Sequence, residues 1–263
     1  MPNLPTHIHF SLTSTTLRDT FTTKSQTAAF ILGSTTPDIR AITKKNRSIY
    51  HFVDLDFEGV GDGLENLINK HGDLNKITAA DPEMTAFMAG YASHLVLDET
   101  WITTVFRPNF GSGGKLSDFS SEANLVWDRA LQLGLDQMYW ETMKPFITDL
   151  KEYKYPGDIY FLKEEPVDEW NDWILRLLDA EFSWNRLGFM ANRIAKGDLS
   201  HPVIGIAEEF LSDPEVGFQE ILQKLPKNTI DEFNEAAKKN IATLVGGFIS
   251  WRLFAVLKIL IEN

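Results

Sequence analysis

Apolar residues recur at three- and four-residue intervals along nearly the whole chain, and the strict alternation of a half-buried strand is almost absent. That periodicity confines the fold to an all-α class built as a multi-helix bundle. Local signals then divide the pattern. Gln26 to Leu32 reads as a short apolar helix stopped by Gly33 and Pro37, and residues 61–71 read as an amphipathic helix with Leu64, Leu67 and Ile68 on one face. Asp81-Pro82-Glu83 is a strong helix start, combining a capping carboxylate, a Pro where no amide is needed and an acidic first turn. This helix is expected to run to about Phe106, ahead of Pro108. Ser117 or Ser120 then caps a helix through about Leu133. Residues 166–196 predict one long helix, 204–211 and 216–225 shorter ones, and Thr229 or Asp231 opens a last helix reaching almost to Asn263. Asp158 to Leu162 is the best short strand candidate.

The 263 residues suffice for one large domain, or for a domain over 1–150 with a helical extension over 151–263 packed on it. Cysteine is absent, which excludes disulfides, thiolate catalysis and thiolate metal sites. The net charge of −12 disfavours a basic patch for nucleic acid. The first residues carry neither a basic nor an apolar leader segment, and the expectation is a cytoplasmic protein. The apolar run over 241–251 is interrupted by Arg252 and is too short to span a membrane.

Candidate chemistry concentrates in the first hundred residues. Five of the six histidines lie at or before position 94. His7 and His9 sit in Thr-His-Ile-His, Asp38 in Thr-Pro-Asp, and His51 in His-Phe-Val-Asp. His94 and Asp98 stand four apart on the helix that starts at Asp81, so they project from one face and can meet one ion. Taken alone, that pair reads as an ordinary hydrogen-bonded one on a partly buried helix. Gly90, one turn earlier, lowers helix propensity and implies a close backbone approach, by the N-terminal segment or the Asp38 loop. His9 reads as a neighbour of the site rather than a ligand. Asp54, Asp56 and Glu58 read as a solvated loop, and Asp62 and Glu99 as surface residues. The basic run Lys44-Lys45-Asn46-Arg47 is either a solvated loop or a phosphate-facing one. Walker, nucleophile-elbow and dinucleotide motifs are absent.

The order of the pieces resembles the zinc-dependent phospholipase C family, whose fold is shared with single-strand-cleaving nucleases. The likeness lies in Thr6-His7, in Gly33 to Asp38 as Gly-x-x-x-Pro-Asp after an apolar helix, in His51, in Gly90, His94 and Asp98 as Gly-x-x-x-His-x-x-x-Asp, and in Trp101. It covers residues 6 to about 101. The resemblance implies one ion held by Asp38, His51, His94 and Asp98, and a second using His7 and sharing Asp98. It implies zinc, with iron or manganese as alternatives, and Asp38 as the general base or water-orienting group. The implied activity is hydrolysis of a small phosphate ester or phospholipid by metal-activated water.

Two features depart from the family pattern. A third ligand cluster of two His and a Glu is missing after Asp98; Asp118, Glu122 and Asp128 are the acidic residues available in its place, though no motif marks them. The chain also begins with Met1-Pro2 where secreted members use a free N-terminal Trp. One or two ions are therefore expected rather than three, and a non-catalytic metal-binding or interaction protein of the same fold is the alternative reading.

Overall fold

The computed structural model describes residues 2–14, 19–72, 81–116, 119–155, 157–159 and 161–250. Helices account for nearly all of the regular structure, and among the described residues the only strand-like pairing is one isolated bridge between Ile159 and Leu162. The weak strand candidate is thus reduced to a single hydrogen-bonded turn.

The organising element is the helix Pro82–Trp101 (here α6). Asp81 caps it as expected, accepting from the amides of Glu83 and Met84. From Met84 to Trp101 nearly every side chain is buried, on all faces. A helix buried all round is the centre of its domain. The helix does not stop before Pro108: it widens into a π-helical stretch, Ile102–Phe110, that contains the proline. The looser winding leaves room for the pyrrolidine ring, which would clash with the carbonyl four residues back in an ordinary α-helix.

The preceding elements wrap α6. They are α1 (Leu4–Thr13), α2 (Lys24–Thr35), the short α3 (Arg40–Thr43), α4 (Arg47–His51) and α5 (Asp62–Lys70). α2 starts with a reciprocal capping box between Thr23 and Gln26. Gly33 does not end it, contrary to the expectation from sequence. A Cβ on Gly33 would lie 1.9 Å from the Phe87 carbonyl oxygen, so glycine is there for close packing on α6. Gly90 is the reciprocal contact: a Cβ would lie 2.0 Å from the Phe30 carbonyl oxygen. The element that approaches Gly90 is therefore α2, rather than the N-terminal segment or the Asp38 loop.

Ser120 caps α7 (Ser121–Met143), which runs ten residues past the expected end. After α8 (Ile147–Glu152), the region 166–196 forms two helices rather than one, α9 (Glu164–Asp179) and α10 (Arg186–Ile194). No Pro or Gly lies between Ala180 and Asn185 to announce the break. Tertiary packing makes it: Phe182 meets Trp140 and Trp184, and Trp184 meets Phe210 and Phe218. α11 (Pro202–Ser212), α12 (Pro214–Lys224) and α13 (Thr229–Asn240) follow near their expected positions. A second π-helical stretch, Ile241–Val245, continues α13, and its expected extension beyond residue 250 lies outside the described residues. One hydrophobic cluster contains residues from Leu4 to Ile249, joining both halves of the chain. Among the described residues, no helix is long and apolar enough to cross a membrane.

Candidate metal centre

Four local structures bring the five singled-out residues together. His7 lies in α1, whose first turn is tied to α7 by Thr6 Oγ1 and Asn3 Nδ2, donating to Asp136 at 2.9 and 2.8 Å. Asp38 lies in a single 3-10 turn, Thr36–Ile39, that follows α2 and has Pro37 near its start. His51 is the last residue of α4, which Asn46 caps and Phe52 ends with a left-handed φ of 62°. His94 and Asp98 stand one turn apart on α6, as their spacing requires.

Asp98 is the hub. It is 1% exposed, with Oδ1 at 3.3 Å from His7 Nε2 and Oδ2 at 3.3 Å from His51 Nε2 and 3.7 Å from His94 Nε2. His51 Nε2 also lies 3.3 Å from His94 Nε2 and 3.7 Å from Asp38 Oδ1. The possible donor atoms of Asp38, His51 and His94 all lie within 4.8 Å of one another, and so do those of His7, His94 and Asp98. The three imidazoles are fully buried, whereas the Asp38 side chain keeps 27% of its surface exposed and forms the mouth.

His94 Nδ1 lies 2.8 Å from the Ser34 carbonyl oxygen, an acceptor only. Nδ1 therefore carries a proton, which in the neutral form of the ring leaves the Nε2 lone pair facing Asp98 and His51. The His7 and His94 rings stack at 3.7 Å with an interplanar angle of 6°.

Burial lowers His7 and His51 to about 4, so both rings are neutral near pH 7, the form that ligates metal. Burial alone would raise Asp98, but the facing His94, His51 and His7 imidazoles reverse this and hold it well below the usual carboxylate range. Burial opposes charge on His94 too; the neighbouring Asp98 carboxylate outweighs it and raises that ring.

Both ring nitrogens of His7, Nδ1 of His51 and Oδ1 of Asp98 are buried without a hydrogen-bond partner among the described residues. Leaving such groups unpaired costs about 1–3 kcal/mol each. A cation among these atoms would take up lone pairs that nothing else satisfies. The donor set, imidazole and carboxylate without thiolate, fits zinc and its neighbours.

Arg47 completes the cluster. It is 7% exposed, and its Nη2 lies 2.9 Å from Asp98 Oδ2. In the sequence it appeared only as the end of a basic run. The signal that could have singled it out is its position four residues before His51, which puts both side chains on one face of α4.

Other singled-out residues lie elsewhere. His9 stacks on Tyr139 at 3.7 Å, away from the cluster, as a neighbour and not a ligand would. Asp54, Asp56 and Glu58 are exposed. Glu99 is not on the surface: it is 1% exposed and accepts from the amides of Gly61 and Gly63, binding the free N-terminus of α5. Asp128 accepts from Trp101 Nε1 and Gln132 Nε2 and belongs to neither donor group; Asp118 lies outside the described residues.

The fold and this cluster define an all-helical protein with a buried His–carboxylate group that can hold a divalent metal. Residues 6–101 match the family model described as zinc dependent phospholipase C, and the resemblance read from the ordered His and Asp residues is borne out over that segment. All five converging side chains and Arg47 fall inside it. Searches of curated proteins and of solved structures found no match.

Proposed function

We propose that this chain is a metal-dependent hydrolase of phosphate esters, in which Asp98 would be shared by two ions. The observation that carries the reading is the division of Asp98: Oδ1 faces His7, and Oδ2 faces His51 and His94. One ion would be held by Asp38, His51, His94 and Asp98, and the other by His7 and Asp98. Zinc is the preferred metal, with iron and manganese as alternatives. When bound, such ions supply Lewis-acid polarisation of a phosphoryl oxygen and a water acidic enough to ionise near neutral pH.

The chain's own residues have separable tasks. Ser34 fixes the His94 tautomer and so the direction of its lone pair. Asp38, the one member of the cluster reaching solvent, is positioned to accept a proton from an attacking water at the mouth. Arg47 balances the buried charge of Asp98 and adds a fixed cation beside the reacting centre. The missing third ligand cluster favours a second reading, a metal-binding protein without turnover.

Metal content of wild type and of His94→Ala, measured by plasma mass spectrometry beside hydrolysis of a chromogenic phosphodiester, tests both. Bound metal and turnover, both lost in the variant, support the hydrolase. Bound metal without turnover on a panel of phosphate mono- and diesters supports the second reading. A metal-free wild type that takes up no added zinc, iron or manganese overturns both.

A further inference from the structure

A cavity of about 410 Å³ opens directly beside Asp38. Residues 2–5 and, from the family-matched segment, Asp38, Arg40 and Ala41 supply one side of it; the other comes from α7, α9 and α10, beyond residue 101. Its composition is unusual for this chain. Of nine arginines in a protein of net charge −12, four line this one space: Arg40, Arg129, Arg186 and Arg193. Two carboxylates, Asp38 and Asp136, share it. Asp136 is 1% exposed and already engaged by Asn3 and Thr6. Its charge is further suppressed because burial pushes it up to about 7. The cavity is therefore cationic on balance.

The rest of the lining is apolar and broad. Trp170 and Trp173 stack face to face with ring centroids 4.9 Å apart, and Leu133, Leu177 and Ile194 extend the surface. Trp170 is fixed further by its indole N–H, 3.3 Å from Thr35 Oγ1, three residues before Asp38. Arg186 lies over the Trp140 ring at 4.3 Å, and Arg129 donates to Gln132 at 2.8 Å, so both guanidinium groups are held in place. Arg40 Nε is buried without a hydrogen-bond partner among the described residues. Aromatic floor and arginine together match a ligand with an acidic head and an apolar body.

We propose that this cavity is a binding site for a single soluble anionic amphiphile, a phosphate or phosphonate ester with an aliphatic or aromatic body, selected for net negative charge. The C-terminal half then serves as the specificity wall of the site at Asp38. This proposal deepens the hydrolase reading, and its test separates the two.

The probe is decylphosphonate below its micelle concentration, which cannot be hydrolysed at carbon–phosphorus. Binding is measured by titration calorimetry and by tryptophan fluorescence, on chelator-treated and on zinc-loaded protein. Octyl glucoside and inorganic phosphate are the neutral and the bodiless controls. Saturable binding of the phosphonate in both metal states is expected, with each control at least about tenfold weaker. Arg186→Gln should weaken binding about tenfold, and Arg193→Gln, at an exposed position that the fold does not need, by a smaller factor. Trp173→Leu should weaken it and reduce the fluorescence response. Equal binding of octyl glucoside overturns the charge selection. Binding that vanishes on chelation overturns the pocket, since the headgroup then sits on the metal. Binding that persists while the zinc-loaded wild type turns over no phosphate ester upholds the pocket while the hydrolase reading falls.

Discussion

Arg47 Nη2 and Asp98 Oδ2 lie 2.9 Å apart in the interior, and the same carboxylate faces three imidazoles. Removing one member of a buried pair leaves the other uncompensated, at a cost of about 3–5 kcal/mol. Arg47→Met is expected to lower the stability of the metal-free protein by about that amount. A bound cation would supply part of the missing charge, so zinc should recover more stability in the variant than in wild type. Chemical denaturation with chelator and with zinc checks both statements. An equal deficit in the two states would mean that Arg47 and the metal do not share Asp98.

The two ions make unequal demands on the donors. Asp98 faces both groups, with Oδ1 toward His7 and Oδ2 toward His51 and His94, whereas His7 would serve one ion. Asp98→Asn should lose all bound metal; His7→Ala should retain about one equivalent out of two. Plasma mass spectrometry after gel filtration gives the stoichiometry. For wild type, chelation should lower the melting temperature, since an ion at a thousandfold its dissociation constant stabilises the folded state by about 4 kcal/mol.

The crossing of α2 and α6 tolerates no side chain at Gly33 or Gly90, where a Cβ would meet backbone oxygen at 1.9 and 2.0 Å. Alanine at either position gains about 1 kcal/mol of helix propensity. Forcing the two backbones apart outweighs that gain, and a net loss of at least about 2 kcal/mol is expected. Gly90→Ala should also weaken metal binding, because it moves Ser34 away from His94 Nδ1. Thermal denaturation and zinc titration of a refolded variant measure the two effects.

Asp136 gives the pH dependence a sign. Burial raises it from 3.8 to about 7, so the folded state holds the proton more tightly than the unfolded state. Its contribution is complete below about pH 4 and is lost as pH rises through about 7. His7 and His51 act in the opposite sense in the metal-free protein. Lowered from 6.5 to about 4, they contribute above pH 6.5 and lose that contribution as pH falls through about 4. The Asp136 term is isolated by difference. The stability of Asp136→Asn relative to wild type should rise between about pH 4 and pH 7, by up to a few kcal/mol. A pH-independent difference would show that Asp136 ionises normally.

The amino-acid sequence by itself determined what is read over one or two turns. Periodicity specified the all-α class, Asp81-Pro82 the start of the central helix, and the four-residue step the shared face of His94 and Asp98. The family pattern supplied the order of His7, Asp38 and His51. Tertiary structure decided the rest, because it depends on crossings between elements tens of residues apart. The contact of α2 with α6 turned Gly33 from a presumed helix stop into a packing residue. The amides of α5 drew Glu99 inside. Aromatic packing around Trp184 split the region 166–196 into two helices without any local breaker. Arg47 reached Asp98 and four arginines gathered beside Asp38 for the same reason: a charge's neighbours are set by how helices stack, and no local pattern encodes that stacking.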